Sequence, residues 1–405
     1  MKFIDGGVCA AKGFKASGLH VGVKTKNKDK KDLALIVADR DCNAAAVYTK
    51  NVVKAAPLNI TKENLKNGKA RIVFANSGNA NACAPNGEEN ARRMCRAIAS
   101  ELGLNETDVL VASTGVIGQT LPVDVIEGGV QQLVSNLSYE GSKDAAAAIM
   151  TTDLTMKEAA VEFTAGGETV KIGGIAKGSG MIHPNMGTML AFLTTDCAIS
   201  SEMIQKALVN ATNISFNRVS VDGDTSTNDI LTLMANGLAE NNEIVEQGAD
   251  YELFAQALNM LCVELAKMIA ADGEGATHLI TCKVNGAKTE DDAETLSKSV
   301  ISSTLTKAAI FGADANWGRI LCAMGYSGVD FDTDTVNIAF ESNAGHITVC
   351  ESGRGVAFDE PSAKKILTEH DLTIDITLTA GSAECTCWGC DITYDYIKIN
   401  GDYRT

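Results

Sequence analysis

A threonine hydroxyl is a weak nucleophile and needs a base beside it. Thr188 lies in "KGSGMIHPNMGTML", where a glycine-rich loop and a Pro-Asn turn run into the apolar "MLAFLTTD". No Gly-x-Ser-x-Gly elbow occurs, and none of the five histidines pairs locally with a nucleophile. The base nearest to hand would be the threonine's own α-amine, with an ordinary pKa of roughly 7.7–8.0. Freeing it requires a chain break between Gly187 and Thr188, and glycine there suits the unusual torsions of such a scission. A buried threonine at a strand start fits the same residues. "STG", Ser113-Thr114-Gly115, offers a hydroxyl and a backbone N–H that could hold an oxyanion, or a plain turn. Glu274 in "DGEG" stands just past a long helical pattern, where a carboxylate gains nothing from the helix dipole. It suits a substrate ammonium or plain solvation.

These residues fall in loops that follow apolar runs: "NSGNANAC", "STGVIGQT", "KGSGMIHPNMGT", "VDGDTSTND" and "ADGEGATH". On an α/β scaffold, loops at strand ends are where catalytic groups gather. "LALIVADRDCNAAAVYT" reads as strand, turn and second strand. "LHVGVKT", within the lysine-bearing Lys12–Lys31 segment, reads as part of a solvated hairpin. Helical periodicity marks the stretch from about Gly87, "VDVIEGGVQQLVSNL", "SKDAAAAIM", "SEMIQKALVNATN" and "DYELFAQALNMLCVELAKMIAADGEG". Strands and helices intermix throughout, so the class is α/β, mixed α+β.

The 405 residues suggest two domains or one large α/β body. A net charge of −16 argues against nucleic acid and against an anionic membrane as partners. No run of eighteen apolar residues occurs, so no membrane-spanning helix is expected, and the N-terminus lacks a secretory h-region. Twelve cysteines without a signal imply reduced thiols, mostly buried, and a cytoplasmic protein. "ECTCWGC" puts Cys385, Cys387 and Cys390 together, but without paired CxxC spacing or a fourth ligand; they alternate like one face of a strand. No metal site is expected.

Six stretches in order, "STGVIGQTLP", "KGSGMIHPNMGTMLAFLTTD", "SVDGDTSTND", "DGEGATH", "GADANWGRI" and "DYIKINGDYRT", resemble the ArgJ family, the glutamate N-acetyltransferases also called ornithine acetyltransferases. The resemblance runs from end to end and implies layered sheets with flanking helices, ArgJ/DmpA-like. It implies self-cleavage at Gly187–Thr188 into an α chain, 1–187, and a β chain, 188–405, that assemble as a heterotetramer. Many relatives carry alanine where this chain has Gly187. Thr188 would be the nucleophile and Thr114 and Gly115 the oxyanion pair. Thr151, Lys177, Thr188, Glu274, Asn400 and Thr405 would bind substrate. N2-acetylornithine and glutamate are the implied substrates. No bound cofactor is implied, with acetyl-CoA a possible co-substrate. Two other readings use the same residues: a self-cleaving aminopeptidase, or a zinc-binding module on "ECTCWGC".

Overall fold

The computed structural model describes residues 1–25, 29–183 and 189–401. The chain forms two compact units: Met1–Gly178 with Pro184–Asn217 and Thr225–Leu265, and Ser179–His183 with Arg218–Asp224 and Ala266–Thr405.

In the first unit lie β1 (Lys2–Ile4), β2 (Phe14–Leu19), β3 (Leu33–Tyr48), β4 (Lys69–Asn79), β5 (Val109–Val116), β6 (Lys157–Ala165), β7 (Glu168–Lys177) and β8 (Leu190–Thr195). The short β9 (Val219–Ser220) belongs to the second unit, and β10 (Ile230–Ala235) to the first. The first sheet runs β1-β6-β7-β8-β10-β3-β4-β5. It is mixed: β8 and β10 run parallel, as do β4 and β5. The expected strand–turn–strand at "LALIVADRDCNAAAVY" is one 16-residue strand. The polar Asp39-Arg40-Asp41 stays exposed in an irregularity within it rather than turning the chain. The length lets one edge of β3 carry two partners, β2 along Leu33–Ala38 and β10 along Asn43–Tyr48.

The expected hairpin exists as β2–β3, but it is buried rather than solvated. Its strand ends at Leu19, before "HVGVKT", because Asp32 captures the chain there. The Asp32 carboxylate accepts the N–H groups of Val21, Gly22 and Lys24 at 2.7, 3.0 and 3.1 Å.

Leu33, Leu35 and Val37 face one layer, against Met94 and Ile98 of α2 (Gly87–Leu102) and Ile126 and Val130 of α3 (Val123–Ser135). Ala34, Ile36 and Ala38 face the other, with Ala145 and Ile149 of α4 (Ser142–Ile149). A sheet buried on both faces needs apolar residues at both parities, as this strand has. Small residues let α4 sit close: a Cβ on Gly18 would lie 2.0 Å from the Asp144 carbonyl oxygen. The remaining helices of this unit are α1 (Ala56–Asn64) and α5 (Ser201–Ile214), the latter capped by the Ser200 hydroxyl accepting from the Met203 N–H.

α6 (Ala249–Ala271) has the length and apolar composition of a membrane span. Its charged residues (among them Glu252, Glu264 and Lys267) interrupt the run, and Phe254, Leu258, Leu261, Leu265 and Ile269 are buried, as in a core helix. Phe254 meets Phe163 edge to face, with centroids 6.3 Å apart.

The second unit holds a seven-stranded sheet, β14-β13-β12-β15-β11-β16-β9. Its other strands are β11 (Leu279–Ala287), β12 (Asn337–Ser342), β13 (Gly345–Glu351), β14 (Arg354–Gly355), β15 (Asp371–Thr377) and β16 (Ala383–Cys390). The cysteine motif is β16. Cys385 and Cys387 do share a face, opposite Val284 and Cys282, and belong to the apolar core. Cys390 is of the other parity and sits beside the Lys307 ammonium, 3.7 Å away, so the three do not share one face. Among the described residues no group of three or more His, Cys, Asp and Glu could hold a metal ion.

Phe254→Ala would delete a fully buried ring and leave a cavity. We expect a loss of about 3–5 kcal/mol, read by chemical denaturation; a loss below 1 kcal/mol would contradict the packing described.

Candidate active site

In the first unit, Asp153 organises the residues around Thr151 and Lys177. Its Oδ1 accepts from the Lys157 ammonium at 2.7 Å and the Gly178 N–H at 2.8 Å. Its Oδ2 accepts the Thr151 N–H at 3.0 Å and lies 3.8 Å from Lys177 Nζ. Asp153, Lys157 and Lys177 are all buried. Burial favours the neutral carboxyl, but the Lys177 and Lys157 charges outweigh it and hold Asp153 well below the usual carboxylate range. Thr151 and Lys177, the last residue of β7, are thus tied to one buried anion that carries two cations.

Lys24 joins this neighbourhood. Its ammonium donates to the carbonyls of Lys31 and Met150 at 2.6 and 2.7 Å. Burial, with Lys30 and Lys177 adding to it, pushes its pKa down to about 8 against the pull of Asp32 and Asp153.

Thr114 and Gly115 lie near the end of β5, in an irregular pairing with β4 where Gly78 opposes Gly115. The expected turn is therefore a strand bulge. Gly115 has φ +132°, and a Cβ there would lie 2.3 Å from the Gly78 carbonyl carbon, so only glycine fits. Side-chain amides fix the bulge. Asn76 Nδ2 donates to the Asn79 carbonyl at 2.9 Å, and the Ser113 hydroxyl donates to Asn76 Oδ1 at 2.6 Å. Asn228 Nδ2 donates to the carbonyls of Ala80 and Ser113, both at 2.7 Å. Three of the polar loops read from the sequence are thereby stitched together.

Asp229, next to Asn228, is buried at the start of β10. Ile230 pairs with Leu190 in the parallel β8–β10 register, which sets Asp229 level with Met189, the residue that follows Thr188 in the chain. One carboxyl oxygen, Oδ2, has no hydrogen-bond partner among the described residues. Burial pushes the group well above the usual carboxylate range, against the Ser226 and Thr49 side chains, the Lys177 charge and a bond from the Met189 backbone.

In the second unit, Glu274 and Asn400 are together: Asn400 Nδ2 donates to Glu274 Oε2 at 2.7 Å. The Glu274 N–H donates to the Ser179 carbonyl at 3.0 Å, and the Ser179 hydroxyl to the Asp272 carbonyl at 2.7 Å. A Cβ on Gly180 would lie 2.3 Å from Glu274 Oε2, so this glycine gives the carboxylate its room. Gly275, at φ +69°, admits the helix Tyr394–Gly401, whose Tyr396 nitrogen would be 2.6 Å from a Cβ there. That helix brings Asn400 to the carboxylate. Asp222 holds the neighbouring segment through the N–H groups of Met181 and Ile182, at 2.6 and 2.9 Å.

Thr151 with Lys177, and Glu274 with Asn400, are thus paired through defined contacts, and Thr114 with Gly115 by the bulge. Gly187, Thr188 and Thr405 lie outside the described residues. Asp153, Lys24 and Asp229 were not singled out from the sequence.

A mixed α/β protein with a buried lysine–carboxylate centre and amide-fixed polar loops is what the geometry defines. The ArgJ family model matches residues 15–405. The arginine biosynthesis bifunctional protein ArgJ of Caldanaerobacter subterraneus subsp. tengcongensis is 50% identical over 406 residues, covering 100% of both chains. That of Symbiobacterium thermophilum is 49% identical over 406 residues, again covering 100% of both. The crystal structure of the Bacillus halodurans protein of that name is 44% identical over 52% of this chain and 97% of that one, with a TM-score of 0.49. The chain belongs to the ArgJ family.

Asp229 gives a test of the site's electrostatics. A carboxyl whose pKa is raised by folding releases a proton on unfolding, so stability is full below the ordinary carboxylate pKa and falls as pH rises above it. Asp229→Asn removes this term. The thermal midpoint of the variant relative to the wild type should therefore rise between pH 5 and pH 8; a constant difference would contradict the raised pKa.

Proposed function

We propose that this chain is an acetyltransferase of arginine biosynthesis. It moves acetyl from N2-acetylornithine to glutamate through an acetyl ester on Thr188, after cutting itself between Gly187 and Thr188. The observation that carries the reading is the full-length identity of 50% to a protein named for this pathway. The contacts of Lys177 and Glu274 support it chemically.

The threonine hydroxyl attacks the acetyl carbonyl while its α-amine takes the hydroxyl proton. The tetrahedral oxyanion falls to Thr114 and the Gly115 N–H, where one donor is worth roughly 10²–10³ in turnover. The C–N bond breaks, and the proton passes to the departing ornithine amine. The glutamate amine then attacks the ester, and the threonine hydroxyl is restored.

Substrate charge has two matching partners in this reading. Lys177 takes the α-carboxylate: it meets Asp153 only at 3.8 Å, too long for a hydrogen bond, while Lys157 makes the short contact. Glu274 takes the ornithine ammonium, for Asn400 engages Oε2 and, among the described residues, Oε1 remains to accept. Thr151, Asn400 and Thr405 complete the substrate contacts. We place the mature protein in the cytoplasm, as a heterotetramer of α chains 1–187 and β chains 188–405; all twelve cysteines are free thiols, which suits a reducing compartment.

Self-cleavage is compatible with the fold because β7 and β8, on either side of the cleavage position in sequence, are hydrogen-bonded from Ile172–Thr195 to Lys177–Leu190. Each product keeps its strand in the same sheet. Intact mass of the purified protein should show two fragments, one beginning at Thr188, and Thr188→Ala should remain whole. A wild type that stays uncut would remove the amine base and sink the mechanism.

Glu274→Gln keeps the shape and the Asn400 contact but loses the charge. It should raise KM for acetylornithine about tenfold or more, with processing unchanged. An unchanged KM would take Glu274 out of ammonium binding.

A further inference from the structure

Lys24 brings an ammonium to the candidate site that no step of the acetyl transfer above uses. Asp32 fixes its backbone: the carboxylate accepts the Lys24 N–H at 3.1 Å together with those of Val21 and Gly22. The side chain runs past the strand bulge, where a Cβ on Gly78 would lie 2.9 Å from Lys24 Cγ. Gly78 is the residue opposite Gly115. The ammonium then reaches the carbonyl of Met150, the residue before Thr151, at 2.7 Å. One side chain thus spans from the Thr114–Gly115 bulge to the Thr151–Lys177 centre, all within the first unit.

The carbonyls of Lys31 and Met150 take two of the three ammonium protons. Among the described residues the third has no acceptor, and Lys24 forms no ion pair. The surroundings disfavour a charge. Lys177 faces it from the end of β7 and Lys30 from its own loop, while Asp32 and Asp153 act on it without ion-pair contact. Burial, with the two like charges, brings its pKa down to about 8. Holding two carbonyls needs no charge, for a neutral amide would serve with less desolvation. A half-buried ammonium beside a second one, with an N–H left over, is an arrangement that an anion completes.

The identity of that anion rests on the acetyl-transfer reading. There the α-carboxylate of the substrate goes to Lys177. In N2-acetylornithine the α-carboxylate and the acetylated nitrogen sit on the same carbon. Whatever grips the carboxylate must therefore lie close to the donors that receive the acetyl oxygen, and Lys24 borders both. We propose that Lys24 is a second binding residue for the substrate α-carboxylate, holding one oxygen through its third N–H while Lys177 holds the other. A carboxylate can accept from two ammonium groups at once, and in doing so it relieves their mutual repulsion. Because the Lys24 stem packs on the bulge, the carboxylate grip and the oxyanion donors keep a fixed separation.

The test is calorimetric titration of the purified protein with ornithine and with 1,4-diaminobutane, which is ornithine without its carboxylate. Lys24→Met should weaken ornithine about tenfold or more and leave diaminobutane unchanged. Lys24→Arg keeps a charge and should retain most of the ornithine affinity. An unchanged ornithine affinity in Lys24→Met overturns the proposal, as does a wild type that binds no ornithine. An equal loss for both ligands, or a loss in Lys24→Arg as large as in Lys24→Met, marks a structural staple and overturns it too.

A pH series adds a readout that a staple would not move. Lys24 is charged below about pH 8 and neutral above it, whereas an arginine stays charged throughout. Ornithine affinity of the wild type relative to Lys24→Arg should therefore fall from about pH 7 to pH 9, and the ratio cancels the titration of ornithine's own amines. A ratio independent of pH would contradict the assignment. Binding is read without turnover, so a protein that grips ornithine through Lys24 yet transfers no acetyl would fail the function reading and leave this assignment standing.

Discussion

A carboxylate taken out of water must be paired, and the Asp153 anion is the constraint on which the first unit's candidate site depends. Two buried lysines, an N–H from the loop before it and an N–H from Gly178 converge on its two oxygens. Removing one partner from such a cluster leaves an uncompensated buried charge, which costs far more than the pair contributes. The cluster fixes the end of β7, the start of the loop that follows and Thr151 in one arrangement.

The bulge that carries Thr114 and Gly115 solves a different problem. Backbone groups can serve as donors only where the ladder does not consume them. Opposed glycines, Gly78 at φ +100° and Gly115 at φ +132°, break the regular pairing where a side chain could not fit. The amides of Asn76, Asn79 and Asn228 then hold that irregular backbone in one conformation, so the geometry is set before any ligand arrives.

The loops were legible in the sequence because polar and glycine-rich residues after apolar runs have few other uses. Thr114, Gly115 and Glu274 were singled out from their motifs, and Lys177 from the family resemblance. Asp153 was not, since a lone aspartate in "MTTDLTM" has no pattern, and its partners Lys157 and Lys177 are brought to it by strand pairing. Lys24 was hidden for a similar reason: among the many lysines of its segment it reads as solvated, and only burial between Asp32 and Met150 distinguishes it. The single long β3 was missed because "ADRDC" carries the polarity of a turn, whereas an exposed irregularity inside a strand tolerates the same residues. The cysteines of "ECTCWGC" were read correctly as strand residues, but a period of two cannot keep Cys390 on the face of Cys385 and Cys387.

Strand β8 is paired on both edges, antiparallel to β7 and parallel to β10, over all six of its residues. A chain break before it leaves all of these pairings in place. The new amine would arise one residue before Met189, whose carbonyl accepts from Ile230 at 2.9 Å. Asp229 is anchored at the same point by the Thr49 N–H. The described strand that follows the proposed cleavage position is thus held by two neighbours along its whole length, and an element paired on both edges does not fray as a free chain end does.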